Sequence, residues 1–276
     1  MAPPRSIPAI SRMAISTSMA ATGADMQLPG ADVFERAGLK AWPGIEIEWD
    51  GQWIRRAANG YTQRANSVQS FDPADDGEAD RRLAAAAAWF IARNIRPTYR
   101  VMPLAGPGVI AALDAAGWIS VDDSHLFAME LNSTEPDPDG RLYDLLDPQF
   151  IEAQRRLQNY SDERVGKLRA LLAVVDVPGK GIVQFSPAGE PVASALMIIG
   201  DGIVLTGNVI TDPAQRRRGY AAAMMRTGLA WAKAAGATIA ALNVAADNPV
   251  GQALYRSLGY AHQYDYTYRI PGKASA

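Results

Sequence analysis

The feature that most constrains this chain is a repeat within itself. Trp89, Gly117 and Trp118 recur as Trp231, Gly259 and Tyr260 at one offset of 142 residues, and Asp72-Pro73 recurs as Asp212-Pro213 at an offset of 140. Around these anchors the same order is read twice: strand, Asp-Pro turn, helix, strand, helix, Gly-aromatic pair, strand. Solenoid units recur every roughly 20 to 50 residues, so a repeat at this distance predicts duplicated domains instead. A length of 276 residues suits two units of ordinary size.

The local pattern fills in that frame. Val33 to Trp42 reads as a short helix. Ile45 to Trp49 alternates apolar and polar residues, and Asp50-Gly51 turns it back into Trp53 to Ala57, a hairpin. Asp72 to Asp76 opens a helix running to about Arg93, with acids where the helix dipole favours them. A strand at Tyr99 to Leu104, a helix at Pro107 to Ala116 and a strand at Phe127 to Leu131 follow. Asn132 to Gly140, with two prolines and three acids, reads as a linker. Beyond it, Asp147 to Leu172 is helical with an interruption at Gly166. Three strands (Lys180 to Phe185, Pro191 to Ile199, Ile203 to Ile210) precede a helix from Gly219 to Ala235. A strand (Thr238 to Val244), a helix (Pro249 to Leu258) and a strand (Tyr264 to Ile270) complete the pattern. The expected division is a disordered leader at 1–29, a first unit at 30–131, a linker at 132–144 and a second unit at 145–276. Met13, Met19 and Met26 are alternative starts within the leader.

Composition removes several chemistries. There is no cysteine, which excludes a disulfide framework, a thiolate metal site and a cysteine nucleophile. Only His125 and His262 are histidines, so no metal centre is expected. A net charge of -2 gives no field for nucleic acid or anionic membranes, and no apolar run approaches the roughly 20 residues of a membrane span. A cytoplasmic protein is expected; a homo-oligomer is left open.

Against that neutral background Arg216-Arg217-Arg218-Gly219-Tyr220-Ala221 stands out. It joins a strand end, Val209-Ile210-Thr211-Asp212-Pro213, directly to a helix. Unpaired N–H groups at a helix start point at an anion, and the helix dipole favours one there. Gly219 and Ala221 keep the backbone bare for close approach of a pyrophosphate. A solvated charge run is the alternative reading of the arginines alone.

Residues 205–270 resemble motifs A and B of the GNAT (GCN5-related N-acetyltransferase) superfamily. Arg216, Gly219 and Ala221 meet the Q/R-x-x-G-x-G/A pattern. Val209 to Pro213 meets the strand end before it, and Asp247-Asn248, Gly251, Leu254-Tyr255 and Gly259-Tyr260 meet the later motif. The resemblance implies an α/β (α+β) fold of two GNAT-like domains. Each would be a mixed, mostly antiparallel twisted sheet flanked by helices, with a splayed strand pair at the CoA site of the second. It implies that acetyl-CoA donates its acetyl group to an amine-bearing acceptor in a ternary complex. Val209, Ile210 and Thr211 would meet the pantetheine arm, Arg216 to Ala222 the pyrophosphate, and Asn248 the cofactor. Tyr255 would protonate the departing thiolate, since a phenol can supply a proton to such a leaving group. Many relatives carry a Glu base where this chain has Asn243, which accepts no proton. Asn243 would orient water or bind the acceptor, and Glu190 and Asp265 are substitute bases. Asp247 is expected to cap the next helix with Asn248. A non-catalytic acyl-CoA sensor or interaction module is the alternative that Asn243 favours.

The first unit departs from this pattern. Its Asp-Pro turn continues as Ala74-Asp75-Asp76-Gly77-Glu78-Ala79-Asp80, acidic where the second is basic, and Leu113 occupies the place matching Tyr255. Residues 30–131 are therefore expected to be a degenerate GNAT-like domain that binds no CoA. Tandem proteins with one silent half occur in the superfamily, the mycothiol synthases among them. Gly60 to Ser67 is read either as an ordinary hairpin or as a loop facing the acceptor.

Overall fold

The computed structural model describes residues 27–272, so the leader read at 1–29, apart from its last three residues, and the alternative start methionines lie outside them. In chain order the elements are α1 (Ala31–Ala41), β1 (Glu46–Asp50), β2 (Trp53–Ala57), β3 (Val68–Ser70), α2 (Ala79–Ile91), β4 (Tyr99–Val101), α3 (Pro107–Ala115) and β5 (Trp118–Glu130). Then come β6 (Gly140–Tyr143), α4 (Pro148–Gln158), α5 (Asp162–Leu172), β7 (Gly179–Phe185), β8 (Pro191–Gly200), β9 (Ile203–Thr211), α6 (Tyr220–Ala234), β10 (Ile239–Ala245), α7 (Pro249–Ser257) and β11 (Ala261–Pro271). The eleven strands form one sheet in the order β1-β2-β3-β4-β11-β5-β10-β9-β8-β7-β6.

The repeat is visible in this topology. β3-α2-β4-α3-β5 matches β9-α6-β10-α7-β11, and β3/β4 and β9/β10 are the two parallel pairs. Both Asp-Pro turns close alike: Asp72 accepts from the Ala74 N–H and Asp212 from the Ala214 N–H, each at 2.9 Å. Gly117 and Gly259 follow α3 and α7 at φ +68° and +99°, the left-handed step that ends a helix. Trp118 and Tyr260 after them are both buried.

The last strands of the two repeats are exchanged. β5 lies against β10 and β11 lies against β4, so each repeat is completed by the other's final strand. β5 and β11 run antiparallel to each other, from Trp118 opposite Pro271 to Ala128 opposite Ala261. This explains why β5 extends far beyond the Phe127 to Leu131 expected from pattern. Its polar first half, Ser120 to His125, carries no strand signature, but β11 holds it in the sheet on one side, and β10 joins on the other from Ser124.

Other boundaries also move for tertiary reasons. α2 begins at Ala79, later than the Asp-Pro turn, because Asp75 and Asp76 bond elsewhere and Glu78 takes a left-handed φ of +53°. The break in the long helical stretch falls at Asn159, φ +54°, with Ser161 capping α5, so Gly166 lies inside a helix. The end of the stretch read as linker folds as edge strand β6, and β3 follows directly on the polar patch at Gly60 to Ser67.

Apolar side chains fill both faces of the sheet. On one face α1, α4 and α5 pack Phe34, Phe150 and Leu168 against Leu126, Leu196 and Ala241. On the other, α6 and α7 pack Met224, Met225, Leu229 and Tyr255 against Phe127, Val204 and Leu242. The alternation of a strand puts Leu126 and Phe127 on opposite sides, and the same rule puts Asn243 on the Leu126 side.

Candidate active site

Two parallel strands that part company define the site. β10 pairs with β9 only from Ile239 opposite Ile203 to Leu242 opposite Thr206. Past that point β9 stays on β8, and residues 243–245 of β10 stay on β5, so a wedge opens between them. Residues 203–206 are buried, whereas 207–211 are half-exposed. Val209, Ile210 and Thr211 thus present one free backbone edge to the opening. A register shift in β8/β9 accompanies Asn208, whose φ is +49°. Its carbonyl accepts from Gln154 Nε2 at 3.2 Å and Gln158 Nε2 at 3.4 Å, and its Nδ2 donates to the Tyr61 hydroxyl at 2.9 Å.

Both helices that follow these strands begin at the same end of the sheet, where open α/β folds hold ligands. Before α6, Arg217 and Gly219 adopt φ +64° and +83°, a turn that aims successive N–H groups outward. Added at Gly219, a Cβ would meet nothing within 4 Å, so the ground before the helix is open. Arg216, Arg217 and Arg218 are exposed. Among the described residues none of them pairs with a carboxylate; Arg218 donates to the Gln215 side chain at 2.9 Å. Tyr220, Ala221 and Ala222 form the first turn of α6, half-exposed. An uncompensated charge, a bare backbone and a 15-residue helix start fit the pyrophosphate of a CoA thioester.

At the neighbouring helix start, Asn248 caps α7 by accepting from the Gly251 N–H at 2.9 Å. Asp247 is exposed and makes no cap, so that part of the expectation is corrected: Asn248 alone stands at the cap position, and Asp247 lies one residue before it. One and a half turns on, Tyr255 is buried beside Tyr260, ring centres 6.1 Å apart. Burial raises its pKa to about 12, which keeps the phenol protonated at neutral pH.

Asn243 stands at the point of the wedge, half-exposed, with its Oδ1 buried and unpartnered. In front of it lies a cleft of about 460 Å3. One wall is Asn243, Val244 and Ala245; the other is Gly60 to Arg64 of the first repeat, with Arg164, Ser124, Tyr266 and Tyr268 between them. The polar patch at Gly60 to Ser67 is therefore a wall of this cleft and not a plain hairpin. Asn66 builds it, accepting from the N–H groups of Ala58 and Gly60 and donating to the Thr62 carbonyl.

Among the described residues no aspartate or glutamate lines the cleft. Glu190 pairs with Arg156 on the surface at 2.6 Å. Asp265 accepts from His125 and His262, both at 2.6 Å, and these three lie on the Phe127 side of the sheet. Composition did not foresee this cluster, because the chain's two histidines are far apart in sequence and meet only through the strand exchange. Also missed were Asn208 and Gln154, for which the one local signal is Gly207-Asn208, a turn pair inside a strand.

In the first repeat the acids of the corresponding turn bond to groups within the protein. Asp75 pairs with Arg82 at 3.0 Å and accepts from the Gln52 N–H at 2.6 Å. Asp76 accepts from the Gly108 N–H at 2.6 Å, at the start of α3.

A family model described as "Probable histone acetyltransferase Rv0428c C-terminal" matches residues 32–269, most of the chain. The Bacillus subtilis protein named Uncharacterized N-acetyltransferase YobR is 23% identical over 242 residues, 86% of this chain and 96% of that protein. Among solved structures, a GCN5-related N-acetyltransferase from Kribbella flavida is similar with a TM-score of 0.64 and 22% identity, covering 88% of this chain and 96% of its own. A tandem GNAT protein from the clavulanic acid biosynthesis pathway has a TM-score of 0.58 and 14% identity, covering 76% of each chain. These two likenesses speak for the fold. With the family model spanning both repeats and the exchanged strands between them, the chain belongs to the family of the C-terminal region of probable histone acetyltransferase Rv0428c and is a GNAT-type N-acetyltransferase.

Proposed function

We propose that this N-acetyltransferase uses acetyl-CoA and transfers the acetyl group directly to an amine in the cleft before Asn243. The observation that carries the reading is the wedge between β9 and β10, with the open arginine turn at one end and the cleft at the other. The pyrophosphate is held by the N–H groups and guanidiniums of Arg216 to Ala222. The pantetheine arm pairs with the free edge of Val209, Ile210 and Thr211, and Asn248 contacts the donor through the Nδ2 its cap leaves free. Donor N–H groups of that edge meet the carbonyl oxygen as charge develops on it. The amine attacks without an enzyme-bound acyl group, since the chain has no cysteine nucleophile.

Tyr255 hands its proton to the departing thiolate. Its raised pKa makes it a secure donor in the resting protein and a reluctant one until the carbon–sulfur bond lengthens. Asn243 takes no proton, so the amine must arrive neutral or lose its proton to water. The first repeat, residues 30–131, binds no CoA, because its turn carries Asp75, Asp76 and Glu78 where the second repeat carries arginines, and negative charge there repels a pyrophosphate. One CoA per chain and a cytoplasmic setting follow from the same reading.

Tyr255→Phe tests it. General-acid catalysis contributes about 10²- to 10⁴-fold, so kcat should fall in that range while acetyl-CoA affinity, read by calorimetry, stays within about twofold. An unchanged kcat would remove Tyr255 from the chemistry; acetyl-CoA binding with no thiol release from any amine would favour a binding module.

A further inference from the structure

The cleft before Asn243 has one sign of charge. Arg64 and Arg164 line it, and no aspartate, glutamate, histidine or lysine does. Among the described residues neither arginine pairs with a carboxylate. The Arg164 guanidinium rests over the rings of Tyr160 at 4.8 Å and Tyr61 at 5.3 Å, which orient it without neutralising it. Arg64 has a buried Nε with no partner.

The wall behind is positive as well. Arg56 and Arg100 are both fully buried, and the one carboxylate with them is Glu35, bonded to Arg100. Arg56 donates to the carbonyls of Trp42 at 2.8 Å and Arg64 at 2.6 Å and to Gln69 Oε1 at 3.1 Å, so its charge faces neutral acceptors only. Burial, and then the nearby Arg100, pull its pKa down to about 9. The bond to the Arg64 carbonyl also fixes the loop that carries Arg64 into the cleft. A volume of about 460 Å3 is that of a small-molecule site.

We infer that the acceptor is a small amine that also bears a carboxylate, of the amino-acid or short-peptide class, with its carboxylate held by Arg64 and Arg164 and its amine facing Asn243. This rests on the acetyl-transfer reading above and names its substrate class. The same charges serve the reaction, because guanidiniums beside an ammonium favour its neutral form. A peptide's α-amine, with a pKa near 8, is already about one-tenth neutral at pH 7, whereas a lysine amine is neutral in fewer than about one in a thousand molecules. A site without a carboxylate base suits the first. In the transfer the amine nitrogen bonds to the acetyl carbonyl carbon and the carbon–sulfur bond breaks. The thiolate takes the Tyr255 proton and the amine's proton leaves through water, giving the N-acetyl product and CoA thiol.

The test measures acetyl-CoA binding by calorimetry and thiol release with three acceptor sets at one pH. These are free amino acids and dipeptides, the same compounds as C-terminal amides, and lysine-rich peptides. The inference expects kcat/KM at least about tenfold higher for the free carboxylates, expressed in KM. It expects Arg64→Gln and Arg164→Gln to raise KM for those acceptors about 10- to 100-fold, leaving acetyl-CoA affinity and the amides unaffected. Amides or basic peptides that react as well as the free acids would overturn it, as would no thiol release from any carboxylate-bearing amine, or variants that weaken all acceptors alike. Failure to bind acetyl-CoA would instead sink the acetyl-transfer reading itself.

Discussion

Glu35 is the residue whose removal should be felt most. It sits on α1 with only 4% of its side chain exposed and bonds to Arg100 of β4, 3% exposed. Its other oxygen accepts from the Tyr264 hydroxyl of β11 at 2.7 Å. Glu35→Ala leaves Arg100 and Arg56 buried with no carboxylate beside them and Tyr264 without its partner. Breaking a buried pair by deleting one member costs about 3–5 kcal/mol, against a total stability of about 5–15 kcal/mol. For a chain of this size each kcal/mol lowers the melting temperature by about 2–4 °C, so a fall of about 10 °C is expected. Urea unfolding followed by circular dichroism would give the same loss as a lower midpoint at unchanged slope. The exposed pair Glu163–Lys167 supplies the control, and Glu163→Ala should melt with the wild type. If Glu35→Ala melts within about 2 °C of the wild type, the idea that one carboxylate balances this charged wall is wrong.

Three further outcomes can be measured directly. Gly219→Ala places a Cβ in open space but at φ +83°, so a loss of about 1–2 kcal/mol from the backbone alone is expected, together with weaker acetyl-CoA binding by calorimetry. Tyr61→Phe removes the hydroxyl that accepts from Asn208 Nδ2; kcat should fall several-fold with acetyl-CoA affinity kept, and equal losses in both would argue against Asn208 as a geometric anchor. The hydrogen bonds from His262 and then His125 hold the Asp265 carboxyl below the usual range. A depressed carboxylate contributes stability above its unfolded value, about 3.9, and loses it as pH falls through the folded value. Asp265→Asn should therefore be slightly less stable than wild type at pH 6, with the difference shrinking as pH falls below about 4, by urea midpoints; the side chain is 71% exposed, so the difference is small.

What the sequence made legible was what local chemistry decides. The β1–β2 hairpin was readable from the alternation of Ile45 to Trp49 and the Asp50-Gly51 turn, and α3, α6 and α7 from the glycines or prolines that bound them. The arginine turn was readable because strand, turn and helix are contiguous. The long β5 was not, since Ser120 and Val121 belong to a strand only through partners in β11 more than a hundred residues away. Nor was the composition of the cleft, whose walls come from residues near 61, 164 and 243. The substitute bases show the same limit: nothing local reveals that Asp265 faces away from Asn243 or that Glu190 ends in a surface pair. The break at Asn159 went unseen because asparagine in the left-handed region resembles any polar helix residue until the next helix finds its cap.

The exchange of β5 and β11 makes the chain a clasp closed on itself. β4 has no neighbour on one side until residues 261–271 have been synthesised, so the first half must wait on the ribosome with an unfilled edge. Trp118 meets Pro271 across 153 residues of chain, a separation that slows folding. Severing the backbone between β5 and β6 would leave two pieces, each lacking one strand and each holding the strand the other lacks. Such fragments would be barred from standing alone yet shaped to re-form the acetyltransferase as an obligate pair, and a lesion in either final strand would register in the opposite half.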